Sequence, residues 1–243
     1  MSPRLDGKVA LVTGGNRGLG RGIARGLARE GASLVITART DATLSAAAAE
    51  LEALGGKALA IRADITQEPE VDELFAKTIE RYGRLDILVN NAGAFDGGPL
   101  DQLSVEAWDH VVAVNLRAPF LCTRAAMRVM KPAGGGRIIN IGSISAQRVR
   151  PHSAPYSASK HGLWGLTQVT ALEGRDHGIT CCCLHPGNIQ VERRETTRHE
   201  DAEPMMSIDD ISEVAVLMAC LPAHVEMLEA IVLPHEQLYV GRG

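Results

Sequence analysis

The sequence has no apolar run near the roughly 20 residues that cross a bilayer as a helix, so no membrane span is expected. Its opening, Met1-Ser2-Pro3-Arg4-Leu5-Asp6-Gly7-Lys8, has no apolar signal core, and a soluble cytoplasmic protein with no membrane partner is the expectation. A basic stripe is missing too: 25 Lys and Arg are interleaved with 29 Asp and Glu for a formal charge of −4, which argues against nucleic acid as a partner. Cysteines number five, and Cys181, Cys182 and Cys183 are consecutive in an apolar run. Side chains alternate in direction along a strand and the spacing is not that of metal ligands, so no metal is expected. These thiols read as small buried hydrophobes in a reducing compartment. Internal repeats and low-complexity linkers are absent as well.

What the 243 residues do contain is alternation, at a hydrophobic content of 45% that supports one domain over 1–243. Apolar, β-rich runs occur at Val9–Val12, Leu34–Thr37, Ala58–Arg62, Ile87–Val89, Ile138–Ile141, Thr180–Leu184 and Ala230–Leu233. Between them Gly20–Glu30, Ala42–Leu54, Pro69–Tyr82, Val105–Met130, Tyr156–Glu173 and Ile208–Cys220 carry apolar residues near helical spacing. Gly31, Gly55 and Gly83 follow helical stretches where a left-handed cap is favoured. The pattern predicts an α/β fold, a seven-stranded parallel sheet with helices on both faces. One polar stretch, Glu192–Pro204, is long and irregular; with its flank to 206 it is expected to form a substrate lid. Its Arg193, Arg194 and Arg198 are offset by Glu192, Glu195, Glu200, Asp201 and Glu203, as in a solvated loop.

The first strand runs into Thr13-Gly14-Gly15-Asn16-Arg17-Gly18-Leu19-Gly20 and then a helix. Glycines at 14, 18 and 20 allow a tight turn and let backbone amides approach a pyrophosphate at the helix N-terminus, a Rossmann-type, doubly wound arrangement. The second strand ends Ile36-Thr37-Ala38-Arg39, without the acidic residue that commonly holds a ribose 2′-hydroxyl. With no carboxylate at the strand end to repel it, a 2′-phosphate has room, and Arg39, helped by Arg17, offers guanidinium donors to it. The expected cofactor is therefore NADP(H) rather than NAD(H).

The T-G-x-x-x-G-x-G turn, Asn90-Asn91-Ala92-Gly93 after the fourth strand, and the order Ser143, Tyr156, Lys160 resemble the single-domain branch of the short-chain dehydrogenase/reductase family, over nearly the whole chain. Within it the chain resembles 3-oxoacyl-acyl-carrier-protein reductases. The resemblance implies cofactor contacts at Gly14, Asn16, Arg17, Gly18, Leu19, Gly20, Arg39, Asp64, Ile65, Asn91, Ala92, Gly93, Tyr156, Lys160, Pro186, Gly187 and Ile189. It implies a catalytic tetrad of Asn115, Ser143, Tyr156 and Lys160. Tyr156 would be the acid/base, Lys160 would bind nicotinamide ribose hydroxyls, and Ser143 would donate to the substrate oxygen. Asn115 would hold a water linking Lys160 to solvent.

The chemistry needs these residue types. Hydride transfer to a ketone makes an alkoxide that must be protonated, and the reverse reaction needs a base. Tyr156 and Lys160, at i and i+4 on a helix, emerge on one face. A phenol titrates near pH 10, and bringing its proton chemistry to neutrality takes about 4 kcal/mol. An ammonium about 4 Å away supplies about 1 kcal/mol in water but about 4 kcal/mol at an effective dielectric near 20. A partly dry site is implied, and closure of the 192–206 lid is the expected means.

The chain also departs from the family. Val191 stands where a threonine is common beside the nicotinamide, and the C-terminal Leu233-Pro234-His235-Glu236 lacks V-D-G-G. Arg148, Arg150 and His152 lie near the expected substrate entrance, where the arginines would suit an acidic acyl-carrier-protein substrate. The helices bearing Asn115 and Tyr156 pair across subunits in the family, and Ala158 and Gly162 permit close approach, so a homodimer or homotetramer is expected. The competing class is a catalytically silent NADP-binding sensor or assembly protein, which predicts a damaged tetrad; the tetrad is intact.

Overall fold

The computed structural model describes residues 3–190 and 204–239. Seven strands form one parallel sheet: β1 (Val9–Thr13), β2 (Ser33–Ala38), β3 (Ala58–Arg62), β4 (Ile87–Asn90), β5 (Gly136–Ile141), β6 (Ile179–Pro186) and β7 (Glu229–Val232). Their spatial order is β3-β2-β1-β4-β5-β6-β7. β1 and β4, at the centre, are aliphatic at all but their last positions because both faces of a parallel sheet are covered, and all five residues of β1 are buried.

Helices α1 (Gly18–Arg29), α2 (Asp41–Ala53) and α7 (Ile208–Cys220) bury Ile23, Leu27, Leu44, Leu51, Ile211 and Met218 in the core on one face. On the other face, α3 (Glu68–Tyr82), α5 (Ala118–Met130) and α6 (Ala154–Gly174) bury Val71, Leu74, Leu121, Met130 and Ala171. The triple cysteine follows the strand alternation, with Cys182 in the first core and Cys181 in the second. Burial pushes the Cys182 thiol up to about 12, so it packs as a neutral hydrophobe. Gly31, Gly55 and Gly83 take the left-handed conformation expected of helix-ending glycines.

The expectation of one helix over Val105–Met130 is corrected. An α-helix, α4 (Val105–Val112), passes into a π-helical turn at Ala113–Arg117 and only then into α5. The wider turn carries Asn115, which is fully buried and bonded to the loop after β4.

The chain steps outward from β1 to β3 and then crosses back to β4, which pairs with the other side of β1. The strand order reverses between β1 and β4, and in sheets of this kind ligands usually bind beyond the carboxyl ends of the strands at that point. No helix among the described residues is long and apolar enough to cross a membrane.

Candidate active site

The glycine turn sits at the carboxyl end of β1. Gly14 and Gly18 have φ of 64° and 52°, conformations that side chains rarely adopt, and a Cβ at Gly18 would meet only open space. Gly20 is constrained differently: a Cβ there would lie 2.2 Å from the Gly14 carbonyl oxygen. The Asn91 side-chain amide donates to the carbonyls of Thr13 at 2.9 Å and Gly14 at 3.3 Å. Thr13 Oγ1 accepts from the amides of Asn91 and Ala92. Asn91 is thus a strut between β4 and the turn.

No side chain caps α1 at Arg17, and its first turn holds no acid. Its leading amides and dipole are left to attract an anion. Asn16 Nδ2 donates to Thr43 Oγ1 at 2.8 Å, tying the turn to α2. Arg17 and Arg39 are exposed, and neither guanidinium makes a hydrogen bond or ion pair among the described residues. With Ala38 in place of an acid, this corner fits a phosphorylated ribose. Asp64 is half-buried; its Oδ1 accepts from the amide and hydroxyl of Thr66. Ile65 beside it is buried.

At the end of β6, the Gly187 amide donates to the Val232 carbonyl and the Asn188 amide to Gln237 Oε1, at 2.8 and 2.9 Å. Ile189 pairs with Met206. Val191 and the expected lid up to residue 203 lie outside the described residues.

The other expected group gathers at the carboxyl end of β5. Ser143 follows that strand, and its Oγ accepts from the Ser145 amide at 3.1 Å, while its hydroxyl proton is given to no acceptor among the described residues. Lys160, only 5% exposed, donates through Nζ to the Ile141 carbonyl at 2.7 Å. The same Nζ lies 5.6 Å from the ring centroid of Tyr156, one helical turn away. Phe95 meets the Tyr156 ring edge-on at 5.3 Å. Asn115 Nδ2 donates to the Ala94 carbonyl and to Ser159 Oγ, linking the π turn to α6.

Several polar residues near this site do not stand out in the sequence. Asn90 Nδ2 donates to Thr123 Oγ1 and Asn140 Oδ1, and Asn140 Nδ2 donates to Thr167 Oγ1. This buried ladder joins β4 and β5 to α5 and α6; its signal is a lone asparagine inside the apolar run Ile138–Ile141, where a buried amide needs partners. His185 closes the apolar run of β6 and is likewise buried. His152 has φ of 62°, and a Cβ at Gly97 would overlap its carbonyl oxygen, so two entrance loops are in tight contact. The Arg148 guanidinium lies 5.5 Å over the Tyr239 ring.

Residues 8–202 match the family model for short chain dehydrogenase. A 3-oxoacyl-[acyl-carrier-protein] reductase from Synechocystis sp. is 38% identical over 203 residues, which cover 83% of this chain and 81% of that protein. Among solved structures, a dehydrogenase/reductase from Sinorhizobium meliloti 1021 superposes with a TM-score of 0.89 at 36% identity, over 96% of each chain. A short chain dehydrogenase from Burkholderia cenocepacia J2315, solved in complex with NADP, gives 0.87 at 35% identity, over 95% of this chain and 98% of that one. With its glycine turn, uncapped α1 and Ser143, Tyr156 and Lys160 near the carboxyl ends of one sheet, this chain belongs to the short-chain dehydrogenase family of oxidoreductases.

Proposed function

We propose that the protein is an NADP(H)-dependent oxidoreductase that interconverts a carbonyl and an alcohol, with Tyr156 as acid/base. The observation that carries this reading is the buried Lys160 ammonium held beside the Tyr156 ring. Bound NADPH would supply the hydride. In reduction, Tyr156 gives its phenolic proton to the substrate oxygen while Ser143, whose Oγ already accepts from Ser145, donates its own hydroxyl proton to that oxygen. In the reverse direction Tyr156 takes the proton back. Lys160 spends one N–H on Ile141 and keeps two, which suit ribose hydroxyls and the developing phenolate.

Asn115 fits a role in holding the turn. Both its side-chain donors are committed, so a water linking Lys160 to solvent would use its remaining acceptors. Gly14, Gly18 and Gly20 with the α1 amides, Asn16 and Leu19 cradle the pyrophosphate. Arg17 and Arg39 hold the 2′-phosphate in this reading, and likeness to a Burkholderia dehydrogenase solved with NADP supports NADP(H) as the cofactor. Asp64 and Ile65 lie toward the adenine, Ala92 and Gly93 along the floor, and Pro186, Gly187 and Ile189 beside the nicotinamide.

Likeness to the Synechocystis reductase makes 3-oxoacyl thioesters, free or on acyl-carrier protein, the first substrate class to test. Exposed Val105, Trp108, Phe120, Val169 and Leu172 on α4, α5 and α6 support a homo-oligomer. Gly162 does not serve that purpose directly, since a Cβ there would meet Leu116 of the same chain at 2.8 Å. A carbonyl and alcohol panel followed by NADPH absorbance tests the activity. Turnover of at least one 3-oxo compound with NADPH is expected; tight NADPH binding without turnover on any substrate would instead support a silent cofactor-binding protein.

A further inference from the structure

His185 at the end of β6 is used by none of the steps above, yet it is fully buried against the residue they depend on. Its Nδ1 lies 2.9 Å from the Ser143 carbonyl oxygen and 3.3 Å from the Ser143 amide nitrogen. The imidazole meets Trp164 edge-on at 5.7 Å, and its Nε2 faces Glu229 Oε1 at 3.5 Å. Room for the ring is made at Gly142, where a Cβ would come within 2.6 Å of Nδ1. Glu229 also accepts from Gln147 Nε2, and Gln147 Oε1 accepts from the Tyr239 hydroxyl. A continuous set of polar contacts therefore runs from Ser143 through His185, Glu229 and Gln147 to Tyr239, joining the loop after β5 to β7 and the C-terminal segment.

We propose that His185 is a positioning residue for Ser143, gripping its backbone so that the hydroxyl faces the substrate oxygen, and that Glu229 holds the imidazole in that orientation when the ring is protonated. The proposal rests on the reading of Ser143 as the donor to that oxygen.

The geometry favours this over simple space-filling. The shorter of the two Nδ1 contacts is to the carbonyl, so Nδ1–H donates there, beside the bond that carbonyl already accepts from Ala146. In the neutral ring Nε2 is then the acceptor nitrogen, with no hydrogen-bond partner among the described residues, and its 3.5 Å contact with Glu229 becomes an ion pair only when the ring is protonated. The Nδ1–H bond to the carbonyl sets the ring plane and, through it, Ser143, and Glu229 adds to that hold when the ring is protonated. Burial, the largest influence, holds the imidazole below its ordinary value of 6.5; the Ser143 bond and Glu229 oppose this, and Lys160 adds to it. Glu229 from β7 and Lys160 from α6 are the charged groups facing the ring. Cys183 from β6 also abuts Gly142, its thiol neutral with a value pushed up to about 12.

The test compares His185→Phe, Glu229→Gln and Ser143→Ala with wild type, counting active sites by NADPH titration. His185→Phe keeps the ring and its stacking but loses both nitrogens. A fall in kcat of about ten-fold or more is expected, with KM and NADPH affinity within about two-fold, because misplacement acts on the chemical step rather than on binding. A kcat per active site equal to wild type overturns the proposal. Should His185→Phe not fold, Glu229→Gln decides: the His185 imidazole proton resonance, followed by NMR, should titrate at lower pH once the carboxylate charge is gone, with kcat reduced at pH values where the wild-type ring is protonated. An unchanged titration and kcat overturn it. Ser143→Ala separates the two readings. If it retains full turnover, the role given to Ser143 fails even though His185 still titrates against Glu229.

Discussion

Asn115 and Ala94 exchange two hydrogen bonds of equal length: the Ala94 amide donates to Oδ1 and Nδ2 donates to the Ala94 carbonyl, each at 2.8 Å. The side chain acts as an extra peptide unit that pins the loop after β4 to the π turn. Asn115→Ala strands both backbone groups in a part-buried place, at a cost of about 1–3 kcal/mol for each group left unsatisfied. Urea denaturation should show a lower midpoint, and kcat should fall with it; an unchanged midpoint would contradict the strut.

Gly20 separates helix propensity from cofactor geometry. Alanine is favoured over glycine inside a helix by about 1 kcal/mol, so Gly20→Ala would stabilise α1 if nothing else were at stake. The added Cβ, however, would sit 2.3 Å from Asn91 Nδ2 as well as against the Gly14 carbonyl. Displacing these atoms opens the turn, and NADPH binding measured by fluorescence should weaken by about ten-fold or more. Binding at wild-type strength would show that the turn does not form the cradle.

Arg39→Ala should lower kcat/KM for NADPH by about 10- to 100-fold, the scale of one lost charge-assisted contact, while leaving NADH nearly unaffected. Ala38→Asp should move preference toward NADH by placing a carboxylate where the 2′-phosphate sits. Equal losses with both cofactors would remove Arg39 from the phosphate site.

Asp86 gives a prediction in pH. Its carboxylate, 12% exposed, accepts from Lys8, from the Val9 amide and from both arms of Arg84, joining the starts of β1 and β4. Burial is the largest single influence and raises its value, but these partners together outweigh it and hold the group below the usual 3.8. A depressed carboxylate stabilises the fold above its unfolded value, and that contribution is lost as pH falls through the folded one. Asp86→Asn should therefore be less stable than wild type at neutral pH, by about 1–3 kcal/mol, with the difference shrinking below about pH 3.8. A gap independent of pH would point to packing instead.

Strand and helix order were legible because run length and period distinguish buried parallel strands from amphipathic helices, and the cofactor turn because its glycines answer to backbone geometry. The break at Asn115 was not. A π turn adds one residue per turn without interrupting the apolar spacing of Val105–Met130, so the run reads as one helix. Asn140, Thr123 and Thr167 are each ordinary in sequence and become a ladder only when the sheet brings them together. The dryness required beside Tyr156 was assigned to a lid, yet at Lys160 the described residues already provide it: the ammonium is buried by the fold and fixed on Ile141. His185 was hidden for the opposite reason, since a histidine closing an apolar strand gives no hint that its partners are Ser143 and Glu229.

The most direct measurement is the turnover of Tyr156→Phe with NADPH and a carbonyl substrate, alongside its NADPH dissociation constant. Phenylalanine keeps the ring beside Lys160 and Phe95 and removes only the proton-bearing oxygen. Loss of about a thousand-fold or more in kcat, with NADPH affinity within about two-fold of wild type, is the predicted result. Turnover near the wild-type rate would contradict Tyr156 as the acid/base.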